Sequence, residues 1–291
     1  MGRHRNAKGL SEDPQYAKSE RRRGDQVQSL MRAISILNYI AASPEDGVAL
    51  TDLANDTGLA VSTVHRLLTT LEQERYVRYS HARKRWVIGF QAFATGCAFT
   101  KNVGIVGVAR PHMHALMEQS GETVNLAILD RVQSVHIAQV ECRQIMRVFA
   151  RPGMRVPLHC SAVGKAILSA LSETSLSRLL RDYRMERFTN NTITSTSQLG
   201  TELDRLRAAG YATDDEEHHI GLRCVGAPIF DEAGHIVAAL STSGPAARIG
   251  KKRISLLGKQ VAETARAISI EMAGTSTALG SPTIKALHLQ W

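Results

Sequence analysis

The sequence predicts an α+β protein with two domains joined by a helix. Near the N-terminus, two short amphipathic helices joined by Gly58 are followed by a pair of β-prone runs. Beyond residue 103, strands that pair as hairpins alternate with helices, an order typical of α+β domains. The 291 residues are enough for two domains, each with its own core.

Residues 1–26 precede the first predicted element, and we expect them to form a disordered basic arm. The segment is polar, carries Arg21-Arg22-Arg23 and lacks the apolar stretch of a signal peptide. Such an arm either follows DNA phosphates or a minor groove, or is a solvated tail. A first helix is predicted from Gln28 to Ala42, where apolar residues recur at helical spacing, and the turn-forming residues 43–47 end it.

Residues 50–71 are typical of a helix-turn-helix. A short helix begins at Leu50, Gly58 can take the positive φ that a tight turn needs, and a second helix begins near Val61. One face of the second helix carries an apolar stripe formed by Val64, Leu67, Leu68 and Leu71. The opposite face offers hydrogen-bond donors and no carboxylate, which suits the DNA major groove. The residues predicted to contact DNA from this face are Ser62, Thr63, His65, Arg66 and Thr69.

A basic hairpin follows the second helix. The β-prone runs 76–79 and 85–88 are separated by a basic turn, and a hairpin at this point is the wing of a winged helix-turn-helix. Arg83, Lys84 and Arg85 are predicted to contact phosphate, which positions a protein without specifying sequence. The net charge of +9 also favours a polyanionic partner. We therefore assign residues 27–89 to a DNA-binding domain.

Residues 90–102 predict a linker helix with a marked apolar face. Phe90, Phe93, Ala94 and Cys97 fall on one stripe. A solvated linker does not need that much apolar surface. We therefore expect this helix to pack against a second copy of the chain.

Residues 103–273 predict the second domain, and residues 274–291, rich in Ser, Thr and Gly, predict a flexible tail. Helices are expected at 103–120, 161–171, 176–181, 197–209 and 254–273. Strands are expected at 122–129, 133–140, 146–149, 211–214, 224–230 and 235–243.

Several kinds of site are not indicated. The four cysteines, at 97, 142, 160 and 224, lack the paired spacing of a zinc ribbon and give no disulfide framework. The sequence predicts no membrane span, because no apolar run reaches about 18 residues. The protein is therefore expected in the cytoplasm. Gly164-Lys165 lacks the upstream glycine of a phosphate loop.

An acidic run, Asp214-Asp215-Glu216-Glu217-His218, could suggest a metal or acid–base site. Alternation at a strand end would place Asp214 and Glu216 on one face and Asp215 and Glu217 on the other. We therefore expect no convergence, and predict no catalytic residue, no metal and no cofactor.

An anion site is indicated in the second domain. The helix that begins near Ser161 offers unpaired backbone N–H groups in its first turn. Ser241 and Ser243 alternate along one strand, so both hydroxyl groups point to the same face. Together these groups can hold one carboxylate. Alternatively, Ser161 is an N-cap and the two other serines face the core with satisfied hydrogen bonds.

Four segments together resemble the IclR family of bacterial transcriptional regulators. They are the winged N-terminal region, residues 158–166 (LHCSAVGKA), residues 214–224 with the acidic run and Gly221-Leu222-Arg223-Cys224, and residues 241–245 (STSGP). The resemblance extends from about Gln28 to Ala273. It implies a GAF-like effector-binding domain for a small organic acid, dimers joined through the DNA-binding domains, and tetramers paired through the effector domains.

The resemblance also implies the positions of effector contacts. The carboxylate of a glyoxylate-like or pyruvate-like ligand would meet the backbone N–H groups of Ala162 and Val163 with Ser241 and Ser243. Asp214 and Cys224 would contact its other oxygens, and an apolar wall would be formed by Ile145, Val148, Val156 and Leu222. The glyoxylate-responsive members usually carry Gly and Ala in place of Ala162 and Val163, and Met in place of Val148. We expect the pocket to differ in shape while the class of ligand stays the same.

The function expected from the sequence is a DNA-binding repressor of a carbon-metabolism operon, such as that of the glyoxylate bypass. Its partners would be double-stranded, palindromic operator DNA, a small carboxylate effector and further copies of the chain, without a membrane. An activator of aromatic-acid catabolism is the alternative within the family. An enzyme acting on a 2-oxo acid is the alternative from another class.

Overall fold

The computed structural model describes residues 27–43, 46–102, 104–148 and 150–278, with the side chains of all these except 100–102 and 275–278. The predicted basic arm, residues 44–45 of the first predicted turn, Val103, Phe149 and the tail from residue 279 lie outside the described residues. The chain divides into two compact units, Met1–Phe99 and Thr100–Trp291. Each is described by itself below.

In its described residues, the first unit contains three helices and a hairpin, followed by the start of a fourth helix. Its elements are α1 (Gln28–Ala42), α2 (Leu50–Thr57), α3 (Val61–Gln73), β1 (Val77–Ser80) and β2 (Arg85–Ile88). The turn after α2 has Gly58 at a φ of 64°, the left-handed conformation that only glycine adopts freely. The core contains Ile36, Leu53, Val64 and Leu68, all fully buried. The predicted winged helix-turn-helix is confirmed.

The helix α4 (Phe90–Asn102) begins in the first unit and ends in the second. It occupies the range predicted for the linker helix. Phe90 and Phe93, on its predicted apolar stripe, are exposed. No helix in the described ranges combines the length and apolar character that crossing a membrane requires.

The second unit contains a six-stranded antiparallel sheet with the order β5-β4-β3-β8-β7-β6. Its strands are β3 (Thr123–Asp130), β4 (Gln133–Val140), β5 (Arg155–Pro157), β6 (Ala212–Asp215), β7 (Leu222–Phe230) and β8 (Ile236–Pro245). Its remaining helices are α5 (Ile105–Ser120), α6 (Ala162–Ala170), α7 (Glu173–Leu180), α8 (Thr196–Ala209) and α9 (Lys251–Ala278). The predicted α+β class is confirmed.

The two faces of this sheet pack against different helices. One face meets α5 and α9 through large apolar side chains such as Met113, Leu240 and Val261. The other face meets α6 and α8, and there the sheet offers small residues such as Ala127 and Ala239. This second face holds the candidate site described below, because its central strands carry small and polar side chains.

Two predicted segments differ most from the structure, and several other elements differ by one to three residues at their ends. The strand expected at 146–149 is absent from the described residues 141–148, which form an irregular loop. Arg147 pairs with Glu141, and Arg248 donates to the Met146 carbonyl oxygen, so side-chain contacts hold this segment outside the sheet. The edge of β4 that faces away from β3 pairs with β5, a strand that the sequence did not predict. The final helix extends to Ala278, so the first five residues of the predicted tail, 274–278, are helical.

Candidate nucleic-acid interface and anion site

The helix α3 presents the predicted DNA-contacting residues away from the core of the first unit. Val64 and Leu68 are fully buried, which fixes the orientation of the helix. On the other side Ser62, His65 and Arg66 are exposed, while Thr63 and Thr69 are half-buried. The Thr69 hydroxyl donates to the His65 carbonyl oxygen at 2.9 Å. The Thr69 hydroxyl is therefore used within the helix, whereas the exposed Ser62, His65 and Arg66 offer the donors that base recognition requires.

The wing cations are not equivalent. Arg83 pairs with Asp46 at 3.0 Å, and Arg85 donates to the Gly47 carbonyl oxygen at 3.0 Å. Both therefore fasten the hairpin to the loop before α2. Lys84 is exposed at the tip, where its φ is 53°. Of the three predicted phosphate contacts, Lys84 is the one whose geometry suits that role best.

The second sheet face carries a buried row of polar groups, which we call the polar floor: Asn125, Asp214, Cys224, Ser241 and Ser243. All five are buried. Ser241 lies opposite Asn125 and Gly226, and Cys224 lies between Ser243 and Asp214. The Asn125 amide donates to the Ser243 hydroxyl at 3.3 Å and accepts from Gln139 at 3.0 Å. The two predicted serines thus share one face, as strand alternation requires.

The N-terminus of α6 lies directly on the polar floor. A Cβ atom built on Gly226 would lie 3.0 Å from the Ala162 backbone, so the strand and the helix are in tight contact here, and a side chain would require a shift of a few tenths of an ångström. Ser161 caps the helix, because its hydroxyl accepts from the Gly164 N–H at 3.1 Å and donates to the Pro157 carbonyl oxygen. The Ala162 and Val163 N–H groups fall in the first turn, which has no intrahelical acceptors. The helix therefore brings anion-binding donors to the sheet.

The predicted apolar wall is distributed unevenly. Val156 on β5 is buried beside Leu158 in the core under α6, and Leu222 is half-buried at the start of β7. Val148 is half-buried in the irregular loop. Ile145, in the same loop, is 100% exposed. The structure therefore brings Val156 next to the helix and leaves Ile145 outside.

Sequence reasoning missed a charged cluster beside the polar floor. Lys165, on α6, is fully buried and pairs with Glu217 at 2.5 Å and with Glu202, on α8, at 3.3 Å. Glu202 also accepts two hydrogen bonds from Arg205. In the sequence, Lys165 and Glu202 lie in two different predicted helices and Glu217 lies in the acidic run. Only the packing of α6 against α8 and the 216–221 loop brings the three side chains together.

The expected alternation along the acidic run was wrong at Glu217. The strand ends at Asp215, and Glu216 has a φ of 58°, which turns the chain back. Consequently Glu217 is buried next to Asp214, and its N–H donates to Asp214 Oδ1 at 2.8 Å. Among the residues that the structure describes, no group of three or more His, Cys, Asp or Glu side chains is placed to hold a metal ion.

Burial controls the ionisation of the site. Burial, and after it the neighbouring Glu217 carboxylate, raises the pKa of Asp214 to about 7. Burial also raises the pKa of the Cys160 and Cys224 thiols, so both are uncharged and poor nucleophiles. Burial lowers the pKa of His136 and of His218 to about 4. The site can therefore bind and orient an anion, but its cysteines and histidines are neutral near pH 7.

Comparison with family models gives two matches. Residues 29–81 match the IclR helix-turn-helix domain, and residues 97–270 match the C-terminal domain described as bacterial transcriptional regulator IclR C-terminal.

Curated proteins and solved structures give concordant matches. The chain is 43% identical to the acetate operon repressor of Salmonella typhimurium, over 86% of this chain and 92% of that protein. It is 41% identical to the transcriptional repressor IclR of Escherichia coli K12, over 86% and 91%. It is similar to the crystal structure of Thermotoga maritima IclR, with a TM-score of 0.72 and 33% identity over 85% of this chain and all of that one.

Proposed function

The chain belongs to the IclR family of bacterial transcriptional regulators, and from this premise we propose that it represses a carbon-metabolism operon in response to a small carboxylate. Its relatives over most of its length are DNA-binding regulators, so the chain is a regulator and not an enzyme acting on a 2-oxo acid. The operon we propose is that of the glyoxylate bypass, because the relatives include the acetate operon repressor at 43% identity.

The observation that carries the effector assignment is the contact between the α6 N-terminus and the polar floor. We propose that a glyoxylate-like or pyruvate-like carboxylate accepts hydrogen bonds from the Ala162 and Val163 N–H groups and from Ser241 and Ser243. Asp214 and Cys224 then face its remaining oxygens. Val148, Val156 and Leu222 supply the apolar wall, and Ile145 would join it only if the 141–148 loop moved inward.

DNA recognition is assigned to α3 and the wing. The exposed face of α3 enters the major groove, where Arg66 is long enough to reach a base edge. Lys84 contacts phosphate from the tip of the wing, whereas Arg83 and Arg85 position the hairpin. A palindromic operator follows if two copies bind together, since protein and site then share one two-fold axis.

Exposed apolar side chains support self-association. Leu30, Met31 and Ile34 are exposed on α1, and Phe90 and Phe93 are exposed on α4. Burying such a surface stabilises association by about 25 cal/mol per Å² before the entropic costs. We propose a dimer formed through these helices, tetramers paired through the second units, and a cytoplasmic location where the operator is accessible.

A gel-shift titration tests the proposal. DNA from the promoter next to the gene is incubated with the protein and a panel that contains glyoxylate, pyruvate and aromatic acids. We expect a specific complex that changes in stability with glyoxylate or pyruvate. A response to no acid in the panel would overturn the effector assignment.

Activation is the second candidate, because one relative, BhcR of Paracoccus denitrificans, is named only as an HTH-type transcriptional regulator. Transcription in vitro from the same promoter separates the two directions. Less transcript on adding the protein supports repression. More transcript on adding the protein and an aromatic acid would replace the repressor with an activator.

A further inference from the structure

We propose that the effector carboxylate binds together with one proton, which resides on Asp214 because Glu217 rather than Asp214 neutralises Lys165. The inference rests on the proposed function, since it concerns the same anion site. It assigns a role to Lys165 and Glu217, two residues that do not contact the ligand themselves. They act as positioning residues that set the charge of a residue in the polar floor.

The arrangement of charges leads to this conclusion. Lys165 is the only lysine or arginine that is buried within the described ranges. Its Nζ lies 2.5 Å from Glu217 Oε1, and the next carboxylate, Glu202, is bound mainly by Arg205. Two cations are thus matched with two carboxylates. Asp214, at 1% exposure, remains as the acid without a cation.

The hydrogen bonds of Asp214 show which oxygen is available. Oδ1 accepts from the Glu217 N–H at 2.8 Å and from the His218 N–H at 3.4 Å. Oδ2 is therefore the oxygen that carries the proton and donates to a ligand. The Glu217 carboxylate, by contrast, has a cationic partner. Its Oε1 pairs with the Lys165 ammonium group, and its Oε2 is buried without a hydrogen-bond partner.

Other groups that face Asp214 do not supply a compensating charge. Cys160 precedes α6, and Cys224 lies opposite Asp214 on β7; burial keeps both thiols neutral by raising their pKa. His218 is neutral near pH 7 because burial lowers its pKa to about 4. The carboxylate of a ligand placed beside an ionised Asp214 would be strongly repelled by it in this buried site. Protonation of Asp214 removes the repulsion and supplies a donor.

A consequence for specificity follows. A protonated Asp214 donates a hydrogen bond, so the ligand must present an acceptor oxygen next to its carboxylate. A 2-oxo acid does this, whereas the ammonium group of a 2-amino acid would require an ionised Asp214. We therefore expect pyruvate to bind and L-alanine, which has the same carbon skeleton, to be rejected at neutral pH.

Titration calorimetry with pyruvate and glyoxylate on the full chain tests the inference. Measurements at about pH 6 and about pH 8 lie on either side of the Asp214 pKa of about 7. Above that pKa the affinity should fall up to about tenfold per pH unit. Buffers of different ionisation enthalpy should show uptake approaching about one proton at the higher pH.

Three variants locate the proton. Asp214→Asn should lose the pH dependence whatever its affinity, because it cannot ionise. Glu217→Gln should shift the dependence to lower pH, since Lys165 then becomes available to stabilise an ionised Asp214. Asp215→Asn is the matched control: it removes the same charge one residue away, where the side chain pairs with Arg223, and it should leave the pH dependence unchanged.

A second readout does not need a ligand. The infrared difference between the wild type and Asp214→Asn at about pH 6 should contain the C=O stretch of a protonated carboxyl group, and this band should disappear by about pH 8. Absence of the band would overturn the inference. Carboxylate binding without pH dependence, or equal binding of L-alanine, would also overturn it while leaving the proposed function intact. Failure of every carboxylate to bind, with the infrared band present, would overturn the proposed effector instead.

Discussion

Lys165→Met should destabilise the second unit by about 3–5 kcal/mol, because it leaves a buried carboxylate without its cation. The Glu217 side chain is only 10% exposed, and its Oε1 lies 2.5 Å from the lysine nitrogen. Methionine has nearly the same volume, so the loss comes from the charge and not from a cavity. Glu202 contributes little to the loss because it keeps its two bonds to Arg205.

Urea denaturation followed by far-UV circular dichroism measures this effect. Lys251→Met, an exposed position at the start of α9, is the control and should change the stability by no more than about 0.5 kcal/mol. The double variant Lys165→Met/Glu217→Gln should recover most of the loss, because the two residues interact directly. A loss below about 1 kcal/mol, or a double variant no more stable than Lys165→Met, would refute the assigned ion pair.

Three further results are expected. Arg66→Ala should weaken operator binding by about 1–3 kcal/mol in a gel shift, and an equal loss on random DNA would instead make Arg66 a phosphate contact. Lys84→Gln should reduce the slope of log K against log salt by about 1, and an unchanged slope would remove the wing tip from the interface. Gly226→Ala should destabilise the second unit by about 1–3 kcal/mol and weaken the effector response, because its Cβ would press on the Ala162 backbone. Gly200→Ala, with open space around the added Cβ, should do neither.

Local pattern was sufficient for most elements. The first helix, Gln28–Ala42, and the strand Arg85–Ile88 have the predicted bounds, because apolar periodicity and flanking turn residues determine both. The run 146–149 has a composition typical of a strand, yet residues 146–148 lie in a loop. The prediction fails for a physical reason. A strand needs a partner strand, and β5 already pairs with the available edge of β4.

The candidate site was only partly predictable for a related reason. Alternation along a strand correctly placed Ser241 and Ser243 on one face, since that rule depends on the strand alone. The same rule failed at Glu217 because the chain leaves the strand at Asp215 and turns at Glu216. Burial of Lys165 depends on contacts with α8 and the 216–221 loop, which no local pattern contains. Turns and long-range packing therefore marked the limit of sequence reasoning.

The sheet of the second unit has one apolar face and one face with polar side chains, and this difference affects both stability and the proposed ligand binding. Along β8, Ala238 and Leu240 pack under α5 and α9, whereas Ser241 and Ser243 lie under α6. Burying polar side chains costs free energy unless they are hydrogen-bonded, so the second face contributes less to stability than an apolar one would. A ligand that satisfies these groups binds only the folded state and therefore stabilises it. Under the proposed function, the polar groups that weaken this half of the core are also those through which a bound carboxylate would act on the position of α6.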